Sequence, residues 1–404
     1  MLVQESNMVT SSMINRERKK HIVVVLIDRA NYGRLSPVMS QLREDTRFRL
    51  SVVCGGSMVL ERYGSAYLEV ESDGFAIDRL LYFEVEGSKP ASMAMTIGLA
   101  VTQFATVFQD LSPDMVLLIG DRYEALAAAI GAVYSNIPLA HVQGGEQSGT
   151  IDESTRHAIT KLAHIHFPAT QKASAILSQM GEADSSICLS GCPVGDYIIN
   201  LAPLEPTDLN AYGVGYQFES SDWPMLVVFH PVTTDPEGAE RDLKEVMKTV
   251  NEIGYPCVWI WPNIDSGSDR LSKIIRLERE KNRLSNVRFI KNLPAKLYQQ
   301  VLKQSRVAIG NSSSFVRDSS FSGVPVVLTG NRQTARECAQ NVVHWSFDKG
   351  SLLDVVKNAI QRGALEPDFL YGNGSASKRI VDHLAECEVD LQKKFIFKPA
   401  AFGV

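Results

Sequence analysis

Met115-Val-Leu-Leu-Ile-Gly-Asp-Arg-Tyr-Glu124 is an apolar run of five residues that stops at one glycine and gives way to charge, after which Ala125 to Tyr134 repeats at a helical period. The run is too short for a helix and lacks polar alternation, so it reads as a strand buried on both faces. Strand, glycine turn and helix make up half of a βαβ unit. The charges then fall at the strand's carboxyl end and the helix's start.

The same alternation extends outward from this stretch. His21 to Ile27, Arg49 to Val53, Leu139 to Val142, Ile165 to Pro168 and Ile187 to Ser190 read as companion strands, with helices at Arg34 to Arg43 and Ala91 to Leu111. From Gly191 to Trp223 the pattern breaks into Pro, Asp, Asn, Tyr and Gly without a period, which places a linker at 196–222. A second series follows, with strands at Met225 to Phe229, Val258 to Trp261, Val287 to Ile290, Val307 to Ile309 and Val324 to Leu328. Its helices are Glu237 to Ile253, Leu271 to Lys281, Lys296 to Lys303 and Leu352 to Arg362. The expected organisation is a disordered tail over 1–20, a Rossmann-like domain over 21–195, the linker, and a second Rossmann-like domain over 223–375. A last helical segment over 376–404 is a candidate to return to the first domain. The expected fold class is α/β of GT-B type, two Rossmann-like domains facing across a central cleft, with ligands at the carboxyl ends of both sheets.

A chain of 404 residues exceeds what one core usually organises, in keeping with two domains. Its 45% hydrophobic and 22% charged residues are those of an ordinary globular protein. A net charge of −5 gives no general attraction for nucleic acid or an anionic membrane, so neither is expected as a partner. A bound polyanion must meet a local positive site. Six scattered cysteines without a repeated CxxC read as reduced thiols of a cytoplasmic protein, and no metal is expected. The basic run Arg16 to Lys20 precedes only about six apolar residues, Ile22 to Ile27, fewer than a signal peptide needs. No run of about 18 apolar residues occurs, so no transmembrane helix is expected.

Position selects the residues with chemistry to offer. Asp121 and Arg122 stand where a helix start faces the cleft, a place that favours anions. The segment His141-Val-Gln-Gly-Gly-Glu-Gln-Ser-Gly-Thr-Ile-Asp-Glu-Ser-Thr-Arg-His157 is the strongest local signal. Glycines 144, 145 and 149 permit sharp turns and close approach, and carboxylates at 146, 152 and 153 gather beside Arg156 and His157. Glu153, near a helix start, reads as dipole compensation, whereas Glu146 and Asp152 are candidate proton-transfer groups. His230 follows a buried strand and precedes Pro231, which turns its ring toward the cleft. Asn311-Ser-Ser-Ser314 follows another strand and opens a helix, so hydroxyls and free N–H groups converge as a phosphate cradle without a Walker lysine. Arg332 is placed to reach a diphosphate or ribose and Arg29, from the other domain, to reach the same diphosphate.

Around these residues, longer strings are more specific than any single position. Gly120-Asp-Arg-Tyr-Glu124, Gly144 to Lys161, Phe229-His-Pro-Val-Thr-Thr234, Pro262-Asn-Ile-Asp-Ser-Gly267, Gly310-Asn-Ser-Ser313 and Arg332-Gln-Thr-Ala-Arg-Glu337 resemble, in order, the hydrolysing UDP-N-acetylglucosamine 2-epimerases of sialic acid and related nonulosonate biosynthesis. The resemblance spans about residues 21 to 345. It departs at Asn31, where the family commonly has Asp, and at Phe315, where a small residue is usual. It departs again at Arg317-Asp318, where the family has Arg-Glu. Phe315 is expected to add bulk beside the diphosphate.

The resemblance implies conversion of UDP-GlcNAc and water into N-acetylmannosamine and UDP, by anti elimination to 2-acetamidoglucal and syn hydration, without a cofactor. It implies Asp121, Glu146, Asp152 and His230 as catalytic residues. Arg29, Arg122, Ser312 and Ser313 would bind the diphosphate, Asp318 the ribose, and Arg332 either the diphosphate or the ribose. A homo-oligomer, dimer or tetramer, is also implied. Three other activities fit the same scaffold: hydrolysis of a 2,4-diacetamido-trideoxy donor of the legionaminic acid pathway, non-hydrolysing epimerisation, and GT-B glycosyl transfer.

Overall fold

Alternate residues of the first strand, β1 (Lys20–Leu26), serve two different layers. Ile22, Val24 and Leu26 enter one apolar cluster, Val23 and Val25 another, and all five are buried. Each such side chain contributes roughly 1.5–3 kcal/mol on burial, which is why a run with no polar alternation folds as a central strand. The computed structural model describes residues 18–87, 89–281 and 283–398, so most of the tail expected over 1–20 and the end of the segment 376–404 lie outside the described residues.

Five further strands join β1 in a parallel sheet: β2 (Phe48–Cys54), β3 (Arg79–Leu80), β4 (Met115–Ile119), β5 (Leu139–Val142) and β6 (Ile165–Phe167). Their order is β3-β2-β1-β4-β5-β6. A second sheet comprises β7 (Val214–Gly215), β8 (Met225–Val228), β9 (Cys257–Ile260), β10 (Val287–Ile290), β11 (Ala308–Gly310), β12 (Val326–Thr329) and β13 (Val342–Trp345), in the order β13-β12-β11-β8-β9-β10-β7. It is parallel except for β7, which pairs antiparallel at the edge. Read from β10 to β13, the second sheet repeats the doubly wound order of the first. Each sheet therefore has one switch point, between β1 and β4 and between β8 and β11, where ligands bind in such folds. The two Rossmann-like domains make the GT-B arrangement.

Helices cover both faces. In the first domain, Arg29–Glu44 packs Leu35, Val38, Met39 and Leu42 on one side of the sheet. Pro90–Leu111 and Tyr123–Tyr134 lie on the other side. Pro90–Leu111 is long and apolar enough by composition to cross a membrane, contrary to the expectation of no such segment. Its Thr96, Ala100, Phe104, Val107 and Phe108 stripe is buried against this domain's core. The helix thus acts as a layer of the fold.

Three expectations need correction. Ile187 to Ser190 is no strand, because only a single bridge, His166 to Ile187, forms there. The stretch 196–222 is not a free linker: Leu204, Leu209 and Phe218 are buried in the second domain's core. Arg288 also gathers the carbonyls of Leu209, Asn210, Tyr212 and Tyr216. This stretch has no period because a single-turn helix, a 3₁₀ helix and a two-residue edge strand carry none. The final helix, Ala376–Glu386, places Ile380, Val381 and Leu384 in the first domain's core. It fills only the start of the segment expected over 376–404, because its backbone turns extended at Cys387.

Candidate active site

The two switch points face one another and form a single cleft. Its floor carries Asp28, Arg29, Asp121, Arg122, Gln143 and Asp152 from the first domain. His230, Ser312, Ser313, Arg317, Asp318 and Arg332 come from the second. Nine of the ten residues singled out from the sequence line this cleft; Glu146 does not.

Asp121 follows β4 at a glycine turn held from behind. His141, on β5, is fully buried and its Nε2 lies 2.7 Å from the Gly120 carbonyl. Burial pushes the His141 pKa down to about 4, so the neutral ring donates to that carbonyl. A histidine with a depressed folded pKa takes its proton only on unfolding. Its share of stability is complete above about pH 6.5 and declines as pH falls toward 4. Glu69 and Glu84, pushed up to about 7 and about 8 by burial, act in the opposite sense. The His141 share must therefore be read as a difference. The stability gap between wild type and His141→Asn is expected to narrow by roughly 2 kcal/mol between pH 7.5 and 5.0 in denaturant melts.

The Asp121 carboxylate accepts a hydrogen bond from Arg156 and has Arg336 at 3.7 Å. Burial alone would raise its pKa, but Arg156, Arg336 and Arg317 outweigh that and keep it firmly ionised. Asp152 differs. Burial raises it, Asp121 and Asp265 add to the effect, and Arg332 opposes them from 3.2 Å. Two carboxylates in one cleft are thus driven apart in acidity, the pattern that separates an anion from a proton carrier.

Glu146 takes another part. Its oxygens lie 3.0, 3.0 and 2.7 Å from the Nε and Nη2 of Arg317, and it also accepts from Arg336. The side chain is buried, and the two arginines overcome the effect of burial to hold its pKa below the usual glutamate value. Both partners belong to the second domain, so Glu146 joins the domains beneath the cleft. Gly149 brings the same loop against that domain: its N–H donates to the Arg332 carbonyl at 3.1 Å, and a Cβ there would lie 1.9 Å from the Asn331 oxygen.

Across the cleft, the Asn311 side chain bonds the His230 backbone at both N–H and carbonyl, at 2.7 and 2.8 Å. This pins the ring. Nδ1 accepts from the Asn263 N–H at 3.3 Å, and burial, with Arg332 and Arg29 nearby, keeps the imidazole neutral. The proton therefore sits on Nε2, making His230 a neutral donor. Ser314–Arg317 is one turn of helix continued as 3₁₀ over Asp318–Phe321. The cradle at 311–314 therefore offers hydroxyls and N–H groups but little macrodipole. Ser312 Oγ is 2.9 Å from Ser314 Oγ, and Arg34 Nη2 is 3.4 Å from Ser313 Oγ. Asp318 accepts from Gln299 at 2.8 Å through one oxygen, while the other is buried without a partner among the described residues.

Arg29 reaches across the cleft to the Lys291 and Trp261 carbonyls at 2.5 and 3.4 Å. Arg122 likewise reaches Asp265 at 2.8 Å and also binds Glu124. Asn31 lends its Oδ1 to the Ile27 N–H at 3.3 Å. Phe315 overturns its expectation: it is fully buried in the second domain's core with Val316 and Phe321, and adds no bulk beside the serines.

Sequence reasoning passed over Arg34, Gln143, Asp265 and Arg336 as site residues. Asp265 and Arg336 stood inside strings already noted, but a single charge in a turn does not announce its partner. Arg34 lies within a helix whose start faces the cleft, and Gln143 is a polar residue between a buried strand and two glycines. It also holds a left-handed backbone, φ +65°, a strain of about 1–2 kcal/mol for a non-glycine residue.

Two doubly wound domains sharing one cleft of carboxylates opposite serines and arginines define a GT-B nucleotide-sugar scaffold. Residues 40–385 match the family described as UDP-N-acetylglucosamine 2-epimerase, and the chain belongs to that family. It is similar to the UDP-N,N'-diacetylbacillosamine 2-epimerase (hydrolyzing) of Legionella pneumophila, 32% identical over 89% of this chain and 94% of that one. It is also similar to the UDP-N-acetylglucosamine 2-epimerase of Neisseria meningitidis, 30% identical over 93% of this chain and 99% of the relative. Among solved structures, the Neisseria meningitidis UDP-GlcNAc 2-epimerase bound to UDP-GlcNAc superposes with a TM-score of 0.71 at 16% identity, covering 91% of this chain and all of that one. The Staphylococcus aureus MnaA–UDP structure has the same TM-score at 17% identity, covering 94% of this chain and 100% of that one.

Proposed function

We propose that this protein is a hydrolysing 2-epimerase of a UDP-linked 2-acetamido sugar, with UDP-GlcNAc as donor and N-acetylmannosamine and UDP as products. The observation that carries this reading is the pair of cleft carboxylates of opposite acidity, Asp121 and Asp152, facing serines and arginines on the other domain. The Legionella pneumophila relative, named as hydrolyzing, supports the release of UDP.

The C2–H bond of such a sugar has no carbonyl beside it, so its proton becomes removable only as the C1–O bond lengthens and C1 gains positive charge. In this mechanism Asp152 takes the C2 proton while the C1–O electron pair leaves on the diphosphate, giving a 2-acetamidoglucal. Asp121, permanently ionised, stabilises the cationic C1. Arg29, Arg34, Ser312, Ser313 and Arg332 hold the departing diphosphate, Arg122 steadies the closed cleft through Asp265, and His230 donates Nε2–H to the leaving oxygen. Asp318 accepts from a ribose hydroxyl. Water then adds syn across the C1–C2 double bond, OH to C1 and its proton to C2, both on the face opposite to the one the C2 proton left, and Asp152 releases the proton it took to solvent. Glu146, the remaining catalytic candidate from the sequence, is a positioning residue in this reading. The enzyme works in the cytoplasm as a homo-oligomer.

Incubation with UDP-GlcNAc in deuterated water is expected to give free UDP and N-acetylmannosamine carrying deuterium at C2, read by NMR. UDP-ManNAc with the nucleotide still attached, or product with hydrogen at C2, would overturn the proposal. A second reading, a 2,4-diacetamido-trideoxy donor, is favoured by the Legionella pneumophila relative, and the two donors are separated by comparing their kcat/KM values.

A further inference from the structure

Gln143 stands where β5 ends and the Gly144-Gly145 turn begins, in the wall of the same cleft as Asp121 and Asp152. It has no exposed surface and keeps φ at +65° although glycines follow it directly. Backbone strain at a cleft points to a side chain that is needed there. One end of its amide is anchored: Nε2 donates to Cys192 Sγ at 3.0 Å, and Cys192 is itself buried. The other end, Oε1, is buried with no partner among the described residues. Buried amide oxygens are rarely left so, and an orphaned acceptor in a ligand cleft fits an N–H or O–H donor on the ligand. An amide can neither take nor give a proton in the reaction, so its part is recognition.

Resting on the reading of the site given above, we propose that Gln143 is a specificity-determining residue whose carbonyl, held by Cys192, accepts the N–H of the donor's 2-acetamido group. The contact selects 2-acetamido sugar nucleotides over their 2-hydroxy counterparts. It also leaves proton transfer at C2 to the neighbouring carboxylates.

The test uses Gln143→Met, close in length but without an acceptor, and Gln143→Glu, which keeps an acceptor oxygen. Three constants are compared: KM for UDP-GlcNAc, and Ki for UDP and for UDP-glucose as competitive inhibitors. Gln143→Met is expected to raise KM for UDP-GlcNAc about tenfold, while both Ki values stay within twofold of wild type. Gln143→Glu is expected to restore KM to within threefold. Should the methionine variant fail to fold, Gln143→Asn, which withdraws the carbonyl by one methylene, carries the same expectation. An unchanged KM, or Ki values that rise in step with KM, would overturn the assignment. Wild-type enzyme that turns over no 2-acetamido donor would instead overturn the functional reading itself.

Discussion

Asp152→Asn is expected to lower kcat by about 10²–10⁴-fold, the usual loss when a positioned proton-transfer group is removed. The exchange keeps size and shape, and Arg332 can still donate to the amide oxygen across the present 3.2 Å. Ground-state binding should therefore change little, with the UDP inhibition constant within threefold of wild type. The acid limb of the kcat/KM profile gives a second readout. Asp152 is raised above the ordinary aspartate value by burial, so activity falls as pH drops through that raised pKa, and Asp152→Asn removes this limb. Asp121→Asn should depress kcat without moving the limb, because Asp121 stays ionised far below working pH. A full-rate Asp152→Asn enzyme, or an acid limb unaltered by it, would remove Asp152 from the proton path.

Glu146→Ala is expected to cost roughly 3–5 kcal/mol of stability. The carboxylate is buried against Arg317 and Arg336, and its removal leaves both guanidiniums without their main counter-charge. Replacing a buried pair as a unit can be nearly neutral; removing one member is not. Glu146→Gln keeps some hydrogen bonding and should lie between wild type and alanine in thermal melts. Loss of activity should follow loss of stability across the series. If Glu146→Gln instead melted like wild type yet was inactive, the residue would be acting on substrate, as the sequence alone had suggested.

How far the sequence could be read is clear from particular residues. The strands β1 and β4 were legible because a short run of Val, Leu and Ile between charges has no other good use. Position at a strand's end then placed Asp121, His230 and Ser312 at the cleft, since a doubly wound sheet opens its switch point there. The ion pairs of Glu146 were not legible because a carboxylate between glycines looks alike whether it faces substrate or a salt bridge, and its partners lie 171 and 190 residues away. Phe315 was misread for a related reason: at a helix start, one residue's rotation decides between cleft and core. The strand β13 was missed because its burial is partial and it lies at an edge.

The last helix has a consequence for synthesis on the ribosome. Ile380, Val381 and Leu384 complete the core built on β1, and Lys20 binds the Leu384 and Cys387 carbonyls at 2.7 and 3.0 Å. The amino-terminal domain therefore emerges first but cannot finish its interior until the helix Ala376–Glu386, which follows the second domain, has been translated. The order usual for multidomain proteins, in which the leading domain matures first, is reversed at this final step. A nascent chain stalled near residue 370 would expose an apolar seam along the helix Arg29–Glu44, where a chaperone could bind.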